Sequence, residues 1–206
     1  MLKNLRLVAV AAATLAVGAL TASAARAQIL NSERIEQTFG SYGVEVIYAD
    51  ERIRLSDLYS LHDRRPVTRT FALVRYPDEV DPAFAPVHAA IVAGGSIGTT
   101  FEAAGWTVVK DYHQYFRIRV SPRLAATMGV ASEMPLAAHA YRLEVARDDR
   151  QLEYALIVEI HHPDYLREED LVRIYGPEVV IGMPDEIREL LESGLVLLER
   201  NLPLSQ

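Results

Sequence analysis

The chain has 206 residues, half of them hydrophobic, with no cysteine and a formal net charge of −7. The missing cysteine excludes a disulfide scaffold and thiolate metal sites, and the acidic balance makes nucleic acid and anionic membrane surfaces poor partners. Roughly 180 residues beyond the N-terminal segment are ample for one packed core.

That segment comes first in chain order. Lys3 and Arg6 precede an apolar run from Leu7 to Leu20, and two small-residue exits follow, Ala22-Ser23-Ala24 and Ala25-Arg26-Ala27. A basic start, an apolar middle and an A-x-A exit form a secretory signal. The expectation is a signal peptide over 1–27, cut after Ala27 or Ala24, and a single α+β domain over 28–206 that is periplasmic or secreted. Cleavage would remove three basic residues and no acidic one, and it would leave no stable membrane insertion.

Asn31 is a candidate cap for a short helix that Gly40 or Gly43 ends. Alternation then predicts strands from Val44, over Ile53 to Leu61, and through "VTRTFALVRY" after the turn at Asp63 to Pro66. Asp81-Pro82 opens a helix to about Ala93. Trp106 to Val120 reads as a long strand, and "AHAYRLEVA" and "QLEYALIVEI" as a hairpin across "RDDR". Asp164 is a candidate cap for a helix ending at Gly176-Pro177. Pro184, Asp185 and Glu186 start a final amphipathic helix over 184–202, striped by Ile187, Leu190, Leu191, Leu195 and Leu198. Strand runs flanked by helices, without βαβ alternation, predict an antiparallel sheet with helices packed on one face.

The glycine stretch "GGSIG", Gly94 to Gly98, follows a helix rather than a strand. It therefore fits neither a dinucleotide fingerprint nor a nucleophile elbow, and reads as a helix–helix joint whose free amides at Ser96, Ile97 and Gly98 can bind an anion. Six histidines show no H-x-H or H-x-x-x-H spacing, and His161 and His162 point to opposite faces of a strand, so no metal or organic cofactor is expected. Arg69 and Glu159 are charges inside apolar strands. Such charges are paired or serve a ligand, because desolvation is costly. Alternation groups Arg69 with Val67 and Phe71, Tyr154 with Leu156 and Val158, and His113 with Tyr115, Arg117 and Arg119.

The order of elements resembles the chorismate lyase family and the related ligand-sensing UTRA domain. The resemblance covers about Ser32 to Arg167 and is carried by "SERIEQTFGSYGVEVIYADERI", "RLSDLYSLHDRRPVTRTFALV", "GGSIGTTF" and "YRLEVARDDRQLEYALIVEIHHPDYLR". Glu159 stands at the family's closing glutamate with Pro163 near its proline, Arg69-Thr70 matches its "RT", and Ser96-Ile97-Gly98 its "PLG" turn, with serine in place of proline. Arg54 is the nearest counterpart of the arginine on the first hairpin. The resemblance implies arginines binding a carboxylate and a glutamate assisting pyruvate elimination, a role that needs a proton on Glu159. Three readings stay open. One is an exported domain binding a small carboxylate-bearing molecule through Arg54, Arg69, Ser96, Ile97, Gly98 and Glu159. The second is a carbon–oxygen lyase with Glu159 catalytic, and the third a non-enzymatic envelope interaction module with a filled core.

Overall fold

Six antiparallel strands form one sheet, in which two local three-stranded meanders join through a central pair. A computed structural model describes residues 29–177 and 183–201; the expected signal segment and Leu202 lie outside the described residues. The strands are β1 (Gly43–Ala49), β2 (Ile53–His62), β3 (Arg65–Arg75), β4 (Thr107–Arg119), β5 (Pro135–Arg147) and β6 (Arg150–His161), hydrogen-bonded in the order β1-β2-β3-β6-β5-β4. Asp63 and Arg64, with φ of 49° and 65°, make the two-residue β2–β3 turn, the conformation whose twist matches a hairpin.

The helices are α1 (Asn31–Phe39), α2 (Ala85–Val92), α3 (Ile97–Ala103), α4 (Pro122–Met128), α5 (Glu168–Tyr175) and α6 (Asp185–Asn201). Gly40, at φ 77°, ends α1, and Asp81 caps the short 3-10 turn Pro82–Phe84 that leads into α2. Among the described residues, no helix is long and apolar enough to cross a membrane. Asp164 does not cap α5. Arg167 stands there instead, because the turn from His162 to Leu166 closes on His162 O. The helix α4, which the strand pattern did not announce, begins at Ser121-Pro122, where the Ser121 hydroxyl accepts from Leu124 N.

Helices cover both faces of the sheet, not one. Leu55, Phe71, Leu73, Leu156, Val158 and Ile160 pack under α4 and α6. The approach of α6 is close enough that a Cβ on Gly194 would lie 2.2 Å from Leu73 Cδ2. The opposite face carries α1, α2, α3 and α5, over Ala72, Val74, Val108, Tyr141 and Ile157.

Three bulges decide which side chains reach that second face. Leu58 and Tyr59 pair with Thr70 and Thr68, so Arg69 is the extra residue on β3. Leu143 and Glu144 pair with Ala155 and Glu153, which makes Tyr154 the extra residue on β6. On β4 the pairing jumps from Asp111 to Gln114 around Tyr112, whose φ is 54°. A bulge shifts strand alternation by one residue. Arg69 therefore leaves Phe71 to stack on Phe39 of α1, and Tyr154 leaves Leu156 and Val158 to pack on Phe84 and Phe101.

Candidate functional site

Between α1, α3 and the sheet lies a pocket of about 70 Å³, lined by Asn31, Arg54, Ser96, Lys110, Tyr141 and Glu159 among others. Its floor is the β4–β5–β6 register. His139 is the direct cross-strand partner of Glu159, and His161 follows Glu159 by two residues on the same face. Lys110 is on β4, two residues beyond Val108 on an otherwise apolar inward row.

Glu159 is held from both sides. Asn31 Nδ2 and the Tyr141 hydroxyl each donate to Oε1 at 3.1 Å. Asn31 is itself oriented by the Tyr165 hydroxyl, which donates to its Oδ1 at 2.6 Å. The other oxygen, Oε2, is 3.7 Å from Lys110 Nζ, and both side chains are only 4 % exposed. Neither Oε2 nor Nζ has a hydrogen-bond partner among the described residues. The ammonium instead rests over the rings of Tyr141 and Tyr175, at 4.3 and 5.2 Å from their centroids.

Magnitudes decide what this pair is for. At 3.7 Å the attraction is about 4–5 kcal/mol at an effective dielectric of about 20. Burying two ions costs several kcal/mol each, and hydrogen bonds to the remaining lone pairs and protons are what normally offset it. Oε1 has such bonds, but Oε2 and Nζ lack them, so the pair should not make the fold more stable than an apolar pair would.

A histidine cluster continues the polar floor. His113 Nδ1 and His139 Nε2 are 2.8 Å apart, and His161 Nδ1 is 3.0 Å from Thr70 Oγ1. The bulge at Tyr112 swings His113 onto the same side as Lys110, where its ring stacks on Tyr175. Burial is the main cause that lowers all three imidazole pKa values, with Lys110 adding to each: His161 falls to about 4, and His139 falls well below the usual range. Burial, reinforced by the Glu159 carboxylate, pushes the Tyr141 phenol well up.

The residues expected from sequence divide into two groups. Arg54, Ser96, Ile97, Gly98 and Glu159 line the pocket. Arg54 is 2 % exposed and much of its guanidinium is committed to the chain: Nε donates to Ser56 Oγ, and Nη1 to the carbonyls of Ile91 and Gly95. It thereby secures the end of α2 and the glycine joint. Ser96 starts α3, and its hydroxyl accepts from Tyr42 at 3.3 Å. Gly98 lets α3 approach Leu30, whose Cδ atoms would lie 2.8 Å from an added Cβ. Arg69 is not brought to this pocket; its Nε donates to Ser60 Oγ and its Cζ lies 3.7 Å from the Phe39 ring centroid.

Asn31, Lys110, Tyr141, His139 and His161 are the site residues that sequence reasoning missed. Lys110 carried a readable signal, a charge continuing the inward row of Trp106 and Val108. The others depend on cross-strand register.

No protein-family model and no curated protein matches the chain. Solved structures similar to it include the ligand-binding domain of a protein described as a GntR-family transcriptional regulator from Bordetella bronchiseptica, at 12% identity and a TM-score of 0.44 over 60% of this chain and 87% of that one. The C-terminal domain of the histidine utilization repressor from Pseudomonas syringae is similar at 12% identity and a TM-score of 0.36, over 62% and 90%. A protein described as a transcriptional regulator from Streptomyces coelicolor is similar at 16% identity and a TM-score of 0.38, over 64% and 78%. The site described above rests on this chain's own residues.

Proposed function

We propose that this α+β domain binds a small carboxylate-bearing molecule, with the carboxylate on Lys110 Nζ and a hydroxyl or amine of the ligand on Glu159 Oε2. One observation carries this reading: a buried ammonium and a buried carboxylate oxygen, neither hydrogen-bonded among the described residues, face one pocket. Each unmade bond costs about 1–3 kcal/mol, which a ligand supplying the partner recovers. The cavity, at about 70 Å³, is smaller than the ~150 Å³ that holds a benzene ring. Its size favours a compact acid over one as large as chorismate. The cavity also speaks for a ligand pocket and against an interaction module with a filled core.

The basic, apolar and small-residue order of residues 1–27 supports export as part of the same proposal. A second reading has a specific observation behind it. Asn31 and Tyr141 pin one oxygen of Glu159 and leave the other unbonded, the arrangement of a positioned acid or base, so lyase chemistry on a bound enol ether is the catalytic alternative.

A thermal-shift screen against small mono- and dicarboxylates, with 4-hydroxybenzoate and chorismate included, tests the proposal. A ligand at a hundred times its Kd adds roughly 2.7 kcal/mol of stability. The expected result is a shift with at least one compact acid that Lys110→Met abolishes; no shift across the panel overturns the reading. Product analysis on the hit then separates binding from turnover.

A further inference from the structure

His139, Glu159 and His161 each offer one ligand atom, and these atoms lie within 4.8 Å of one another, deep in the sheet. Each residue also retains one buried atom with no hydrogen-bond partner among the described residues: His139 Nδ1, Glu159 Oε2 and His161 Nε2. Two imidazoles and a carboxylate form a donor set suited to a divalent first-row cation. From this arrangement we infer a second, metal-binding function beneath the pocket, with His139, Glu159 and His161 as ligands of a zinc-type ion; of the three, Glu159 lines the pocket.

The surroundings are those of a metal shell. A ligating imidazole characteristically engages its other nitrogen in a hydrogen bond, which fixes the tautomer and aims the lone pair at the ion. His139 does this through Nε2 to His113, and His161 through Nδ1 to Thr70. With those protons assigned to the engaged nitrogens, the lone pairs of His139 Nδ1 and His161 Nε2 remain for the cation. Glu159 Oε1 is likewise fixed by Asn31 and Tyr141, leaving Oε2 as the ligand atom. Donors in a tetrahedral zinc shell sit roughly 3.3–3.5 Å apart, so the three side chains would draw together on the ion from a spacing of up to 4.8 Å.

Lys110 sets the sign of the test. Its ammonium is 3.7 Å from the same Oε2, so lysine and cation compete for one oxygen. The metal inference stands independently of the carboxylate reading, and Lys110→Met affects the two in opposite directions. It should tighten metal binding by about tenfold or more while abolishing carboxylate binding.

The experiment is a titration of the full chain, freed of metal, with Co²⁺ followed by its visible d–d bands, and displacement by Zn²⁺. Saturable binding of one ion per chain is expected, weakened at least about tenfold in Glu159→Gln and in His161→Gln. Because a buried histidine variant can fail to fold, Thr70→Val is measured beside it. That variant leaves all three ligands in place, removes the hydrogen bond that orients His161, and should weaken binding by about 10–100-fold. Melting of each metal-free variant checks that it is folded. Absence of saturable binding to the wild type, or unchanged affinity in Glu159→Gln and Thr70→Val, overturns the inference.

Discussion

The two faces of the sheet are built on opposite rules. Under α4 and α6 the strands present Leu55, Phe71, Leu73, Leu156, Val158 and Ile160, and the layer is apolar and tightly packed. On the other face the same strands bury Arg54, Lys110, His139, Glu159 and His161. Alternation along β6 separates the two within single steps: Val158 and Ile160 face the dry layer, Glu159 and His161 the polar one. Stability and chemistry are therefore assigned to different sides of one sheet. The polar side keeps buried groups without partners, which a structure selected for stability alone would replace.

Disturbing the dry face should give the largest effect. Phe71→Ala removes a fully buried ring and should cost about 3–5 kcal/mol in urea denaturation, with binding by the residual folded protein unchanged. A loss under about 1 kcal/mol would show that this layer is not the stabilising one.

A buried carboxyl on the dry face sharpens the contrast. Asp57 pairs across the strands with Phe71. Its carboxyl is pushed up to about 6, first by burial and then by Glu45, with the Thr68 hydroxyl only partly opposing this. The folded state thus holds the proton more tightly than the unfolded state. Stability should fall as pH rises from the ordinary carboxylate range through about 6, by roughly 1–3 kcal/mol, and stay lower above that. Asp57→Asn should flatten this part of the profile and exceed the wild type by the same amount above about pH 7. Chemical denaturation across the pH series measures both.

The smallest effect belongs to the surface. Arg117 and Glu168 form an ion pair at 2.5 Å, but their side chains are 66 % and 40 % exposed. Arg117→Ala should change stability by less than about 1 kcal/mol. A larger loss in the same denaturation assay would place α5, and with it the Tyr175 wall of the polar face, among the stability determinants.

Much of the fold was legible because its signals are local. Alternation and turn residues placed β1, β2, β3 and the β5–β6 hairpin, and Asp81-Pro82 and the acidic first turn of α6 marked helix starts. Face assignment was less so. The bulges at Arg69, Tyr112 and Tyr154 each shift the alternation by one, and no residue type in those strands announces them. That is why alternation groups Arg69 with Phe71 and Tyr154 with Leu156, and why it does not carry from Lys110 to His113 along β4. Glu159 stood out because an isolated charge in "ALIVEIH" is expensive. Its partners lie at sequence distances that only register can bring together: Asn31 is 128 residues away and His139 sits on the neighbouring strand. Histidine spacing within one strand likewise does not report the cluster of His139, Glu159 and His161, which two neighbouring strands bring together.

If the Lys110–Glu159 pair serves a ligand at the expense of stability, the double variant Lys110→Met/Glu159→Gln should separate binding from folding. Replacing both members removes the buried charges and preserves volume. Urea denaturation should find the double variant at least as stable as the wild type, by up to about 1–4 kcal/mol, with no stabilisation by any acid that shifts the wild type. A loss of about 3 kcal/mol or more, with acid binding retained, would contradict the claim and make the pair part of the fold's own support.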